Sequence, residues 1–428
     1  MNLGFVSTRL AGTDGVSLEA RKWAAIYQEM GHRAFYCAGE LDPDLEGTVV
    51  PRMHFQHPEV RAIQNRIFGT TERDPEVLEA LLEMAHTLQQ DLATFCADHH
   101  IHLLIVENAL AIPMHVALGV AIARYIRETH FPAIAHHHDF FWERERFAVN
   151  AVGDLLEEAF PPALPSVHHV VINSLAQQTL RARRGLASVV VPNIFDYARA
   201  APGIDEHNAD LRETLGLDRQ TLFVLQPTRV VPRKGIELAI DLVRRMGLPR
   251  HASRRQHKEL ALVITHHAGD EGMEYLEALQ HQAEEAGVRL IHAADHFVAY
   301  ADPHQAPGPG PGPKRYRLWD AYVHADFVTY PSLYEGFGNA LLETLYFRLP
   351  ALVNRYPVYT ADIAPLGMDL VEIQGAITEE TVEACLEAMM DPVRRRHMTE
   401  CNYQVARRHF SYQAVAPTLA RLLAEAVP

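Results

Sequence analysis

Two acidic and two basic side chains, set in loops that follow apolar runs, carry the chemistry this sequence suggests. The segment Pro331-Ser-Leu-Tyr-Glu335-Gly-Phe-Gly-Asn-Ala-Leu-Leu-Glu343 reads as a strand end, a glycine loop and a helix start. Gly336 and Gly338 let the backbone approach a ligand closely. A helix that begins there turns unpaired N–H groups and a partial positive charge toward the loop, which suits a phosphate. Glu335 and Glu343 offer carboxylates that accept paired hydrogen bonds from sugar hydroxyls. The alternative is an ordinary helix start with two solvated glutamates. Earlier in the same half of the chain, Gln226-Pro-Thr-Arg229-Val-Val-Pro-Arg233-Lys234-Gly235 sits between another apolar run and another helix. Arg229 as a fork and Lys234 as a point charge could converge on a diphosphate. Alone, that loop reads equally as a solvated basic turn. Together the two loops are a stronger signal, because ligands bind at strand ends in parallel sheets.

A second group lies in the first half. Ala135-His136-His137-His138-Asp139 closes an apolar run. Successive residues of a strand point to opposite faces, so three adjacent histidines cannot all ligate one ion from regular geometry. No HExxH-like spacing occurs elsewhere, and no metal site is expected. Phe140-Phe-Trp-Glu-Arg144-Glu-Arg146-Phe147 follows, a basic pair among aromatics that could hold an acceptor phosphate, with Arg9 and Arg21 contributing. The alternative is an amphipathic helix with solvated charges. Trp23, Trp142 and Trp319 read as packing anchors, and Lys314, Arg315 and Arg317, beside the Pro/Gly run 306–313, as part of a surface excursion.

Continuous apolar strands alternate with helical patterns throughout, which implies parallel sheets covered on both faces. The first series begins with Leu3–Ser7, a small-residue loop around Gly12 and Gly15, and a helix ending near Gly31; a second begins at 221–229. The expected fold class is α/β, with two doubly wound domains in tandem and a cleft between them. With 428 residues, 48% of them hydrophobic, the chain needs no disulfide or metal staple. Its net charge of −15 argues against general nucleic-acid binding. Four scattered cysteines, no signal-like start and no long apolar span point to a reduced, cytoplasmic protein without membrane insertion.

The order of these motifs resembles family 4 of the retaining glycosyltransferases, which have the GT-B fold, and the resemblance covers nearly the whole chain. Its sharpest element is the E-x7-E signature, met by Glu335 and Glu343. The resemblance implies two Rossmann-like domains, 1–200 for the acceptor and 201–408 for the nucleotide sugar, with residues 409–428 forming a helix that crosses back to the first domain. It implies that Glu335 contacts the donor sugar, that Glu343 holds the ribose, and that Arg229 and Lys234 bind the pyrophosphate. Gly336, Phe337, Gly338 and Asn339 complete the donor loop, and Gly12 and Gly15 lie near the donor phosphate. His138 matches a histidine placed near the reacting sugar; the alternative is a packed histidine capping the strand end. Arg9, Thr13, Asp14, Arg21, Asp139, Arg144 and Arg146 are the candidate acceptor residues. Ahead of Arg229, the segment VLQPTR lacks the glycine often found there. The implied reaction moves a hexose, with glucose from UDP-glucose the first choice, to a phosphorylated acceptor, as in sucrose-phosphate synthases acting on fructose 6-phosphate. Mannosyl or glucosyl transfer to a phosphoglycerate- or glucosylglycerate-type acceptor is the second reading. An epimerase or a non-catalytic nucleotide-sugar sensor would be the alternatives outside transfer. No cofactor or metal is expected, only the nucleotide sugar as co-substrate.

Overall fold

Buried apolar runs form two parallel sheets in the computed structural model, which describes all residues except 13, 269–271, 299–312 and 428. The chain divides into two units, Met1–Ile194 with Tyr412–Pro428, and Phe195–Ser411. The first unit contains β1 (Asn2–Val6), β2 (Arg33–Ala38), β3 (Gly47–Val49), β4 (Leu103–Glu107), β5 (Ala133–His137), β6 (Val167–Val171) and β7 (Ser188–Val190). Their order is β3-β2-β1-β4-β5-β6-β7, and every pairing is parallel. Residues of β4 alternate between two cores, as a strand buried on both faces must. Leu103 and Ile105 pack with the helices Gly15–Glu29 and Tyr412–Ala426, whereas Leu104 and Val106 pack with Pro75–Asp98 and Val116–Thr129.

The last helix therefore completes the first unit. Val415, Leu419, Leu422 and Leu423 share a core with Trp23, Tyr27, Ile134 and Val170, and Tyr27 donates its hydroxyl to the Leu419 carbonyl at 3.4 Å. Two helices of this unit, Pro58–Ile67 and Pro75–Asp98, are absent from the sequence reading. The second carries a clear start signal: Asp74 accepts from the Glu76 N–H at 2.9 Å, and proline occupies the first turn.

The second unit contains β8 (Thr221–Gln226), β9 (Glu259–Ile264), β10 (Arg289–His292), the short parallel pair β11 (Phe297–Val298) and β12 (Tyr316–Arg317), then β13 (Phe327–Tyr330), β14 (Ala351–Asn354) and β15 (Val371–Ile373). The main sheet runs β10-β9-β8-β13-β14-β15, all parallel. Strands β8 and β13 are neighbours although the sequence between them forms two other strands of this sheet. The strand order reverses there, and the loops after such a pair open a crevice. Among the described residues no helix is long and apolar enough to cross a membrane.

The Pro/Gly run is outside the described residues up to 312. Of its basic flank, Lys314 and Arg315 are exposed, as a surface excursion requires, whereas Arg317 departs from that reading. Arg317 is 3% exposed and is held by Asp320 at 2.6 Å and by Asp205 at 2.9 Å. Lys314 pairs with Asp210 at 2.6 Å. These charges anchor the start of the helix Leu318–His324.

Candidate active site

The basic loop follows β8 and the glutamate loop follows β13, so adjacency of those strands brings them together. The Leu333 N–H donates to the Arg233 carbonyl at 2.8 Å. Gly235, at φ +59°, lies so close that a Cβ there would sit 2.6 Å from the Pro331 carbonyl oxygen. Across this seam the Lys234 ammonium pairs with Glu335 Oε1. Tyr330 donates its hydroxyl to the same oxygen at 2.8 Å, and Arg233 reaches Oε2 at 3.4 Å. Lys234 and Glu335 are each 7% exposed. Burial pushes the Glu335 carboxyl up, but the charge and hydrogen bond of Lys234, with Arg233 and Ser332 adding, together hold the group below the ordinary range. Burial likewise lowers the Lys234 ammonium, with Glu335 opposing and Arg233 and Arg229 adding to the fall. Arg229 itself is exposed. Its charge and that of Lys234 act on His266, which burial already depresses to about 4, so this imidazole is neutral.

The glycine loop enters the helix Asn339–Tyr346 through Gly338 at φ +125°. A Cβ at Gly338 would meet the Tyr356 hydroxyl at 2.7 Å. That hydroxyl is fixed by donating to the Phe337 carbonyl at 2.7 Å. Phe337 is buried against Phe410, whereas Gly336 and Asn339 are half-buried. Glu343 occupies the first turns of the helix, and its carboxylate accepts from Tyr322 at 2.7 Å and from Trp319 at 3.1 Å. Lys234, Glu335 and Arg229 thus form one cluster, while Glu343 is held by a separate pair of aromatic donors.

In the first unit the informative residue is Glu107, which is not among the candidates drawn from the sequence. The β4–β5 register sets Glu107 opposite His136. Glu107 Oε2 is 2.9 Å from His136 Nδ1 and 3.4 Å from His138 Nε2. The carboxylate is fully buried. Asn108, in the left-handed region at φ +58°, accepts from the His138 N–H at 3.0 Å and donates to Asp139 at 3.0 Å. His137 faces away and shares a hydrogen bond with His169 at 3.0 Å. Alternation along β5 thus separates His137 from the other two, as expected, yet leaves His136 and His138 on one side.

Most of the expected acceptor cations are already matched to carboxylates. Arg9 pairs with Asp14 at 3.0 Å, Arg21 with Asp42 and Asp44 at 2.8 Å each, and Arg144 donates to Asp139 at 3.1 Å. Asp14 also caps its helix, accepting from the Val16 and Ser17 N–H groups at 3.1 Å. The Gly12 N–H donates to Asp42 at 3.1 Å, and Gly15 starts the helix, while Thr13 lies outside the described residues. Arg144 links two short 3-10 turns, Phe141–Glu143 and Glu145–Phe147, and Arg146 lies on the second. Arg146 stacks over Phe147 at 4.6 Å and makes no ion pair among the described residues.

Glu107, His136 and His138 could bring three ligand atoms within 4.8 Å of one another, as could His251, Glu379 and Glu383. In the first group the two histidines already bond one carboxylate oxygen, and His136 Nε2 is buried without a partner. A metal-bound imidazole normally passes its other N–H to an acceptor. The arrangement fits a hydrogen-bonded network better. In the second group Arg250 reaches Glu379 at 2.7 Å and Arg254 also pairs with Glu383 at 2.5 Å, which neutralises both carboxylates.

No family model matches the chain. It is 33% identical over 386 residues to the mannosylglucosylglycerate synthase of Petrotoga mobilis, covering 87% of this chain and 86% of that protein. The synthase of the same name from Thermotoga maritima is 31% identical over 447 residues, 98% of this chain and 99% of that protein. In fold the chain is similar to the sucrose-phosphate synthase of Thermosynechococcus elongatus, with a TM-score of 0.66 and 15% identity over 99% of this chain and 98% of that one. With two parallel-sheet units, a strand-end cluster suited to a diphosphate, and relatives along most of its length, the chain belongs to the retaining glycosyltransferases of family 4, GT-B enzymes that transfer a hexose.

Proposed function

We propose that the protein transfers a mannosyl group, with retention, from a nucleoside-diphosphate mannose to a glucosylglycerate-type acceptor. The cluster of Lys234, Arg229 and Glu335 beside the helix that starts at Gly338 carries the donor half of this reading. Departure of the nucleoside diphosphate separates an oxocarbenium-like sugar from a developing anion, and fixed positive charge where that anion forms lowers the barrier. Lys234 and Arg229 supply this charge, and Glu335 holds sugar hydroxyls. The acceptor hydroxyl attacks from the face the diphosphate leaves, and a leaving phosphate oxygen takes its proton, so the α configuration is kept. Holding that hydroxyl in place against the anomeric carbon accounts for a further several kcal/mol, roughly 7–11 at most.

Two observations favour a glycerate acceptor over fructose 6-phosphate. The relatives that match most of the chain bear the name mannosylglucosylglycerate synthase. Arg9, Arg21 and Arg144 are neutralised by aspartates, which leaves Arg146 as a single cation suited to a monoanionic carboxylate rather than a phosphate dianion. The test is nucleotide release from GDP-mannose, UDP-mannose and UDP-glucose against glucosylglycerate, 3-phosphoglycerate and fructose 6-phosphate, with the product anomer read by NMR. Release of nucleotide from a mannose donor with glucosylglycerate, giving an α linkage, is expected. Turnover confined to UDP-glucose with fructose 6-phosphate would reverse the assignment of the acceptor.

A further inference from the structure

We propose that Glu107 and Asn108 are positioning residues that fix the ring of His138, holding Nε2 inward so that Nδ1 presents an N–H donor to an oxygen of the bound sugar. The inference rests on the proposed place of His138 beside the reacting sugar. Neighbouring residues at the end of β4 grip neighbouring residues at the end of β5: the Glu107 carboxylate takes the His138 ring, and the Asn108 amide takes the His138 N–H and the Asp139 carboxylate. Asn108 holds this grip from a left-handed backbone at φ +58°, a conformation that asparagine tolerates better than most residues with a side chain.

Charge balance decides where the proton sits. Glu107 is completely buried, and an uncompensated carboxylate there would be costly. The groups that face His138 and act on its charge are Glu107, Glu19 and Asp139, which favour the cation, and His136, whose own charge His138 would oppose. Glu19 is spoken for by Lys22 at 2.5 Å. His136 is sealed, stacked on Trp23 at 4.1 Å with its Nε2 orphaned, and burial lowers its basicity. His138 is less enclosed, its side chain 10% exposed; burial is the largest single influence and lowers it, but the bond and charge of Glu107, with Glu19 and Asp139 adding, together raise it above the ordinary value. His136 makes the shorter contact with Glu107 and acts on it more strongly, but as the more enclosed ring it is the costlier one to charge, so we place the balancing proton on His138, with hydrogen on both its ring nitrogens. Glu107 takes the Nε2 hydrogen, which leaves the Nδ1 hydrogen for the ligand.

The experiment follows the imidazole nitrogens of the full chain by NMR after ¹⁵N-histidine labelling, with His138→Asn to assign the signal. In the native protein His138 is expected to titrate above the ordinary imidazole value, and in Glu107→Gln about one pH unit or more lower. The falling limb of kcat against pH should move by the same amount, with donor KM changed less than kcat. A native His138 that titrates at or below the ordinary value overturns the proposal, and this needs no variant other than the assignment. So does a Glu107→Gln protein that folds yet keeps both titration and limb in place, or activity abolished by chelation and restored by a divalent ion. If His138→Asn leaves turnover intact, the place of His138 in the reaction fails; if it abolishes turnover while Glu107→Gln shifts nothing, only the role of Glu107 fails.

Discussion

Replacing Glu335 by alanine is expected to unsettle the second unit before it shows any effect on chemistry. The substitution leaves Lys234, 7% exposed, without its carboxylate and with Arg233 and Arg229 as like-charged neighbours. Removing one partner of a buried pair costs about 3–5 kcal/mol, because the remaining charge is uncompensated. For a unit of this size each kcal/mol lowers Tm by roughly 2–4 °C, so the loss should be about 6–20 °C. The same stranded ammonium makes the variant a better anion trap. Nucleoside diphosphate at about 100 times its Kd stabilises the native protein by about 2.7 kcal/mol, and the variant should gain more than that from the same ligand concentration. Thermal melts with and without nucleoside diphosphate read both effects, and initial rates read the loss of turnover. Adding Lys234→Met should recover part of the lost stability, since an apolar pair avoids burying a lone charge. The reasoning is refuted if Glu335→Ala melts within about 1 kcal/mol of the native protein, or if Lys234→Met adds its full cost on top.

Three further outcomes follow from named contacts. Gly338→Ala combines φ +125° with a Cβ 2.7 Å from the Tyr356 hydroxyl, and should cost about 1–3 kcal/mol by chemical denaturation together with most of the activity. Leu419→Ala removes a fully buried side chain from the core shared with Trp23 and Tyr27 and should cost about 2–5 kcal/mol, seen in Trp23 fluorescence at lower denaturant. Because Glu335 is depressed in the folded chain, its pairing stabilises above the ordinary carboxylate pKa and is lost as pH falls through its folded value; the native protein should lose more stability than Glu335→Gln between about pH 5 and pH 3.

Much of the fold was legible because burial on both faces leaves continuous apolar runs such as Leu103–Val106, whose limits are marked by glycine or charge. That the loops after β8 and β13 would meet was legible for a related reason: glycine and paired charges at strand ends have few structural uses. What the sequence could not show was who neutralises whom. Arg21 looked available for a phosphate until the chain folded and placed Asp42 and Asp44 against it. Glu107 drew no notice because its partners lie 29 and 31 residues away and meet it only through the β4–β5 register. Arg317 stood next to a Pro/Gly run and so passed for surface, although Asp320 one helical turn later was a visible partner. The long helix Pro75–Asp98 had a capping aspartate and an N-terminal proline, both readable signals.

The closing helix also has a consequence for biosynthesis. During translation the ribosome releases residues 1–194 long before Tyr412–Ala426 appear, and that interval spans the synthesis of the entire second unit. Trp23 and Tyr27 lack part of their final cover for all that time, at roughly 5–20 residues per second. The nascent first unit is thus held in an unfinished, sticky form, and chaperone occupancy should be greatest over this interval and fall once Tyr412–Ala426 emerge and dock.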